Sequence, residues 1–331
     1  MLKTLRRRLN VIGEGTAPAA PEASDQGPET PALAEAMGRA QLTRRTFLER
    51  SAVTAGVTAA ATASGCGGPA WEEYFQQHYK RLSDEDKQVI FARLEANVKA
   101  RHGVDVTIND PQPIEGVEFG YALNVSTCTG CRQCEYACAE ENNTSRDPEM
   151  HYIRVLELDR TFNVMDAVHD YDGQVPRDGK FYMPVQCHHC ENAPCVTACP
   201  VNATWREDDG IVVVDYDWCI GCRYCETACP YDARRFNFSE PNISPADINP
   251  NQGYLSNRLR KAGVVEKCHF CLHRVREGLN PACLEACPVG ARKFGNLLDP
   301  DSELRRILEN GRIYIFKEEQ GTLPRFFYYF D

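Results

Sequence analysis

Sixteen of the chain's 17 cysteines fall into four groups of four. The first is Cys128, Cys131, Cys134 and Cys138, and the second is Cys187, Cys190, Cys195 and Cys199. The third is Cys219, Cys222, Cys225 and Cys229, and the fourth is Cys268, Cys271, Cys283 and Cys287. Groups one and three have the spacing C-x2-C-x2-C-x3-C, in which three thiolates curl round one face of a 4Fe-4S cubane while the fourth is carried along the chain to a neighbouring cluster. Groups two and four keep the outer spacings and lengthen the middle one, to four and eleven residues. The longer loops still let three ligands converge. Proline follows the last cysteine in three groups, where the chain continues as CPVNA, CPYDAR and CPVGAR, an internal repeat that marks duplication of one cluster-binding unit. All sixteen cysteines are therefore expected to be iron ligands to four 4Fe-4S clusters.

Other uses of so many cysteines fit less well. A disulfide framework is usual in small exported domains, but closely spaced cysteine runs form a cluster loop rather than bridges. Zinc uses two C-x2-C knuckles set well apart, and three cysteines within seven residues overfill one knuckle. His188, His189 and His269 lie between ligand cysteines, yet each group already supplies four thiolates, so they read as loop residues around the ligands. Gly130 and Gly221 permit backbone angles closed to other residues and let amides approach the sulfurs. Arg132, Arg223 and Lys267 stand beside ligands, where positive charge would favour the reduced cluster; the alternative for each is a solvated surface cation.

The elements that must position these loops belong to a chain of 331 residues, long enough for two or three domains with a buried core. A net charge of −10 argues against a nucleic-acid partner, since phosphate binding needs a basic face. Residues 14–36 are rich in Ala, Pro and Glu and read as disordered. Thr43-Arg44-Arg45-Thr46-Phe47-Leu48-Glu49 and the uncharged run from Ser51 to Trp71 look like a twin-arginine export signal, too rich in Thr, Ser and Gly for a membrane span. Ala61-Thr62-Ala63 offers a cleavage site, and Cys66 offers a rival reading as a lipid-anchored residue. Removing residues 1–65 would leave a charge of −12. Export of a folded protein would explain cysteines loaded with iron before they meet an oxidising compartment.

Ser83 opens a helix pattern, with Asp86 in the capping-box position, Ile90, Leu94 and Val98 along one face, and Gly103 as its end. With Trp71, Tyr74 and Phe75 it reads as a packing or docking arm. Thr204–Asp215 reads as a hairpin turning at Asp209-Gly210. Two inserts, Ala139–Gln186 and Pro230–Lys267, separate the groups and are candidate partner contacts. The chain divides into a disordered N-terminus and export signal (1–65), a helical arm or linker (66–116), and a cluster domain (117–331). No phosphate-cradling loop, activated nucleophile or defensible carboxylate pair accompanies the cysteines.

The four groups in this order, together with CRQCEYAC, QCHHCENAPCVTACP, CIGCRYCETACPYDARRF, EKCHFCLHR and PACLEACPVGARKFGNLLDP, resemble the iron–sulfur electron-transfer subunits of molybdopterin oxidoreductases. These include dimethyl sulfoxide, polysulfide and tetrathionate reductases. The segment EENNTSR and the tail GTLPRFFYYF are also similar to iron–sulfur subunits of quinone reductase complexes and of alternative complex III. The resemblance implies an α+β fold of two fused ferredoxin-like, dicluster units with inserted loops and hairpins. Groups one and four would form one unit, and groups two and three the other. It further implies crossed ligation: Cys128, Cys131 and Cys134 with Cys287; Cys268, Cys271 and Cys283 with Cys138; Cys187, Cys190 and Cys195 with Cys229; Cys219, Cys222 and Cys225 with Cys199. Such a chain would be a non-catalytic wire on the periplasmic face, between a molybdopterin-type catalytic subunit and a multi-span, quinone-reactive membrane subunit. A free-standing periplasmic polyferredoxin-like carrier is the alternative.

Overall fold

In the computed structural model, residues 79–159, 168–169 and 171–331 are described. The export signal, Cys66, Trp71, Tyr74 and Phe75 lie outside the described residues. Helix α1 (Asp84–His102) starts at Ser83, whose Oγ accepts the Asp86 N–H at 3.1 Å while the Asp86 carboxylate takes the Ser83 N–H at 3.4 Å. Asp84, Glu85 and Asp86 lie in its first turn and Lys99, Arg101 and His102 in its last, matching the helix dipole. Gly103 ends it at φ 70°. Its apolar face buries Ile90, Phe91 and Val98, and Tyr79 just upstream stacks on Tyr254 at 4.8 Å. The arm thus shares one hydrophobic core with the cysteine loops.

Strand β1 (Thr107–Asn109) leads to β2 (Phe119–Asn124), helix α2 (Gln133–Glu141) and a hairpin of β3 (Arg154–Asp159) with β4 (Lys180–Val185). Short helices α3 (Pro194–Thr197) and α4 (Tyr224–Thr227) flank a second hairpin, β5 (Thr204–Arg206) with β6 (Val212–Val214), whose turn holds Gly210 at φ 87°. Strand β7 (Arg234–Phe236) pairs with β9 (Val265–Lys267), and β8 (Asn251–Gly253) between them pairs with β1. After α5 (Leu272–Val275), α6 (Ala282–Glu285), β10 (Arg292–Asn296) and α7 (Glu303–Asn310), the chain ends in β11 (Arg312–Tyr314) and β12 (Phe326–Phe330).

The largest sheet has the order β10-β2-β12-β11, with β12 parallel to β2. Alternation explains why Phe326-Phe327-Tyr328-Tyr329 is buried throughout. Phe326 and Tyr328 face the main core, while Phe327 and Tyr329 face a smaller one with Ala122, Leu297 and Leu304 under α7. The architecture is therefore mixed, small sheets with short helices. Among the described residues no helix is long and apolar enough to cross a membrane.

The inserts are tied to each other. Asn143 Nδ2 donates to the Asn257 carbonyl at 2.9 Å and Arg260 Nη1 donates to the Asn142 carbonyl at 2.7 Å. Arg260 also makes a fully buried 2.5 Å ion pair with Glu266.

Candidate iron–sulfur site

The third cysteine of every group occupies the second position of a short helix: Cys134 in α2, Cys195 in α3, Cys225 in α4 and Cys283 in α6. Groups one and three reach that helix through a left-handed cap, Arg132 at φ 59° and Arg223 at φ 64°. Groups two and four, with longer middle spacings, reach it through extended caps, Ala193 and Pro281, so the extra residues enter as loop without displacing the helix. The residue before the second cysteine is left-handed in all four groups: Gly130, His189, Gly221 and Phe270 at φ 75°, 44°, 68° and 54°. A left-handed residue in such a turn lets backbone N–H groups gather on one side, the geometry of an anion-binding nest. Close packing adds a second demand at the glycines. A Cβ on Gly130 would lie 2.3 Å from the Tyr182 ring, and one on Gly221 would lie 2.1 Å from the Gly263 carbonyl oxygen.

Cysteines from distant groups meet. Cys128, Cys131, Cys134 and Cys287 line one small cavity with Pro288. Cys187, Cys190, Cys195 and Cys229 line another with Pro230. Cys138 lies among Cys268, Cys271 and Cys283, and Asn142 Nδ2 sits 3.4 Å from Cys138 Sγ and 3.8 Å from Cys271 Sγ. Cys219 and Cys225 are neighbours. Cys199, which takes the Ala203 N–H at 3.2 Å, follows α3, and α3 packs on α4.

Burial orders these sets. Cys138, Cys268, Cys271 and Cys283 are all buried, as are Cys187, Cys190 and Cys195. Cys134 and Cys225 are buried too, while Cys128, Cys131, Cys199, Cys219, Cys229 and Cys287 are half-buried and Cys222 is exposed. The two buried sets adjoin through Cys268 and Cys187.

Burial pushes the free thiols up, Cys128 to about 11 and Cys190 and Cys268 to about 12, so metal must displace their protons. Arg234 is 1% exposed. Its Nη2 lies 3.0 Å from Cys195 Sγ and 2.9 Å from Thr204 Oγ1, while its Nε and Nη1 are buried with no protein acceptor. Surplus buried donors facing thiolates suit a group that carries its own acceptors, as cluster sulfides are. Among the described residues no three His, Cys, Asp or Glu side chains converge closely enough for a single metal ion. One tetrahedral ion with metal–sulfur bonds of about 2.3 Å would draw its sulfurs to within about 4 Å of one another. The grouped thiols thus stand farther apart than one ion would hold them, as the corners of a cluster require.

The flanking cations differ from the sequence expectation. Arg132 turns from the sulfurs to the His169 carbonyl and the Tyr171 ring, 4.1 Å away. Arg223 is half-exposed, paired with Glu226 at 2.7 Å. Lys267 alone of the three is buried among cysteines. The cations at the sulfurs are Arg234 and Arg292, missed in the sequence although both stand five residues past a group's last cysteine, in CPYDAR and CPVGAR. The histidines are neutral packing groups. His188 stacks on Phe326 at 5.1 Å, and burial takes its ring down to about 3. His189 Nδ1 accepts the Val212 N–H at 3.0 Å.

The 4Fe-4S dicluster domain family matches residues 179–247 and 254–297. A Halobacterium salinarum protein assigned as a dimethyl sulfoxide reductase iron–sulfur subunit is 43% identical over 216 residues, 63% of this chain and 78% of the relative. The chain belongs to this family of iron–sulfur subunits. A selenate reductase subunit of Mesobacillus selenatarsenatis is 35% identical over 66% of this chain and 73% of its own. The Hdr-like menaquinol oxidoreductase iron–sulfur subunit 1 of Archaeoglobus fulgidus is 36% identical over 67% of this chain and 87% of its own. As a member of the family, the chain binds 4Fe-4S clusters and is an electron-transfer subunit of an oxidoreductase complex, distinct from the catalytic subunit. Sixteen grouped cysteines fit four clusters.

Proposed function

We propose that the chain carries four 4Fe-4S clusters in line, ligated crosswise, as the extrinsic subunit linking a molybdopterin-type catalytic subunit to a quinone-reactive membrane subunit. The observation that carries this reading is the difference in burial between the cysteine sets: Cys138, Cys268, Cys271 and Cys283 are all buried and the Cys187 set is buried but for the half-buried Cys229, whereas the other two sets reach the surface through Cys128, Cys131, Cys287, Cys199, Cys219 and Cys222. When bound, each cluster takes up and releases one electron. The protein's part is to hold neighbouring thiolates close, to exclude water from the central sets, and to present the Cys222 loop and the Cys128–Cys131 loop to donor and acceptor. Relatives named as a tetrathionate reductase subunit and as a menaquinone reductase iron–sulfur cluster-binding subunit support the two kinds of partner.

Anaerobically purified chain should hold about sixteen irons, accept electrons from a strong reductant and turn over no small substrate. From native membranes it should co-purify with a molybdopterin protein and a multi-span protein. Recovery as a lone chain would favour a free carrier, and turnover by the lone chain would overturn the assignment. Delivery to the extracytoplasmic face by the twin-arginine pathway belongs to the same reading. Changing Arg44 and Arg45 to Lys should leave the precursor inside with its clusters intact, and mass analysis of the exported form would decide between cleavage after Ala63 and a lipid on Cys66.

A further inference from the structure

Each contact between adjacent cysteine sets contains one buried cation. Arg292 is 3% exposed. Its Nη2 lies 3.2 Å from Cys134 Sγ and its Nη1 3.9 Å from Cys283 Sγ, so it spans from the Cys128 set to the Cys138 set. Gln186 Oε1 holds that guanidinium at 2.8 Å. Lys267 is 1% exposed and has Cys187, Cys268 and Cys195 around it, at the contact between the two central sets. Its Nζ donates to the Val212 carbonyl and, at 2.6 Å, to the Cys268 carbonyl. Arg234 lies 3.0 Å from Cys195 Sγ and also interacts with the Cys225 thiol, spanning to the Cys219 set. The two arginines are equivalent in the repeat. Both stand five residues past a last cysteine, and each lies near the third cysteines of two groups, Arg292 by Cys134 and Cys283 and Arg234 by Cys195 and Cys225.

We propose that Arg292, Lys267 and Arg234 are positioning residues for electron transfer, one per gap, each holding up the reduction potentials of the two clusters that flank it. This rests on the crossed four-cluster arrangement above. Adding one electron to a buried cluster adds one negative charge in a medium of low dielectric, where a fixed cation within a few ångströms stabilises it strongly. A cation shared between two sites stabilises the electron on both sides of the hop, so the gap does not become a trap on one side. Position in the chain of gaps then dictates which potentials a substitution moves.

The test is a redox titration of the full chain, purified anaerobically and followed by paramagnetic resonance, for Arg292→Gln, Lys267→Gln and Arg234→Gln. Each should lower two midpoints by a tenfold or larger change in the reduction equilibrium, about 59 mV for one electron. Arg292→Gln and Lys267→Gln should share one displaced centre, as should Lys267→Gln and Arg234→Gln, while Arg292→Gln and Arg234→Gln should share none. Arg292→Lys should largely restore its pair. If a glutamine variant assembles poorly, Gln186→Leu and Thr204→Val, which remove the polar anchors of Arg292 and Arg234, should move the same pairs by less. Unmoved midpoints, a single displaced centre, or equal displacement of all four would overturn the proposal. Fewer than four titrating centres in the unmodified chain would instead refute the underlying arrangement.

Discussion

The outer cysteine loops, Cys128–Cys131 and Cys219–Cys222, and the inner ones, Cys187–Cys190 and Cys268–Cys271, make the same left-handed turn with different residues. The outer loops use glycine, because the Tyr182 ring and the Gly263 carbonyl press against the position a Cβ would take. The inner loops use His189 and Phe270, whose rings stack on each other with centroids 3.7 Å apart. A non-glycine residue in this conformation costs about 1–2 kcal/mol. The inner loops offset that cost by burying aromatic surface at the centre of the molecule, where Phe270 also meets Phe294 and Tyr121. The same backbone requirement is thus met by absence of a side chain where neighbours crowd, and by a packed one where the loop itself forms the core.

Metal removal should separate the two regions most sharply. Anaerobic chelation should strip about half of the iron, the half held by the sets that contain Cys128, Cys131 and Cys222, while circular dichroism stays native. The remainder should leave only with unfolding, because buried metal binding and folding are one equilibrium. Uniform loss of iron with time would erase the distinction between inner and outer loops.

Phe270→Ala should cost about 3–5 kcal/mol of stability by denaturant melt. Gly221→Ala, in an outer loop, should cost about 1–3 kcal/mol, since a backbone carbonyl must move and the left-handed turn is strained. If the glycine change proved the more damaging, backbone crowding rather than aromatic packing would govern these loops. Away from both regions, Ser83→Ala should cost about 1 kcal/mol through loss of the α1 cap, with iron content unchanged. Tyr224→Ala, at an exposed position beside Cys222, should stay within about 0.5 kcal/mol, and a larger effect would mean that the outer loop is more tightly packed than its exposure implies.

The legible parts of this molecule were those with short-range logic. The cysteine spacing, the Ser83 and Gly103 caps and the Asp209-Gly210 turn are all written within a few residues, and the structure has the helix and the hairpin where those signals stand. The four-stranded sheet was not legible, because β12 joins β2 across some two hundred residues and its aromatic run carries no polar alternation to mark a strand. Adjacency in sequence misled for the cations. Arg132 and Arg223 neighbour cysteines yet point away, whereas Arg234 and Arg292 reach sulfurs through strands that return to the cavity. The repeated A-R after the cysteine-proline turn was the signal available for them. The stacking of His189 on Phe270 depends on how distant loops meet, which no local pattern encodes.

Crossed ligation is the central claim, and paramagnetic resonance of three cysteine variants tests it most directly. Cys138→Ser should perturb the same signal as Cys271→Ser, and leave the signal that depends on Cys131 largely unchanged. If Cys138→Ser instead altered the Cys131-dependent signal, each group would be binding its own cluster, and the paired arrangement with its buried centre and exposed ends would be wrong.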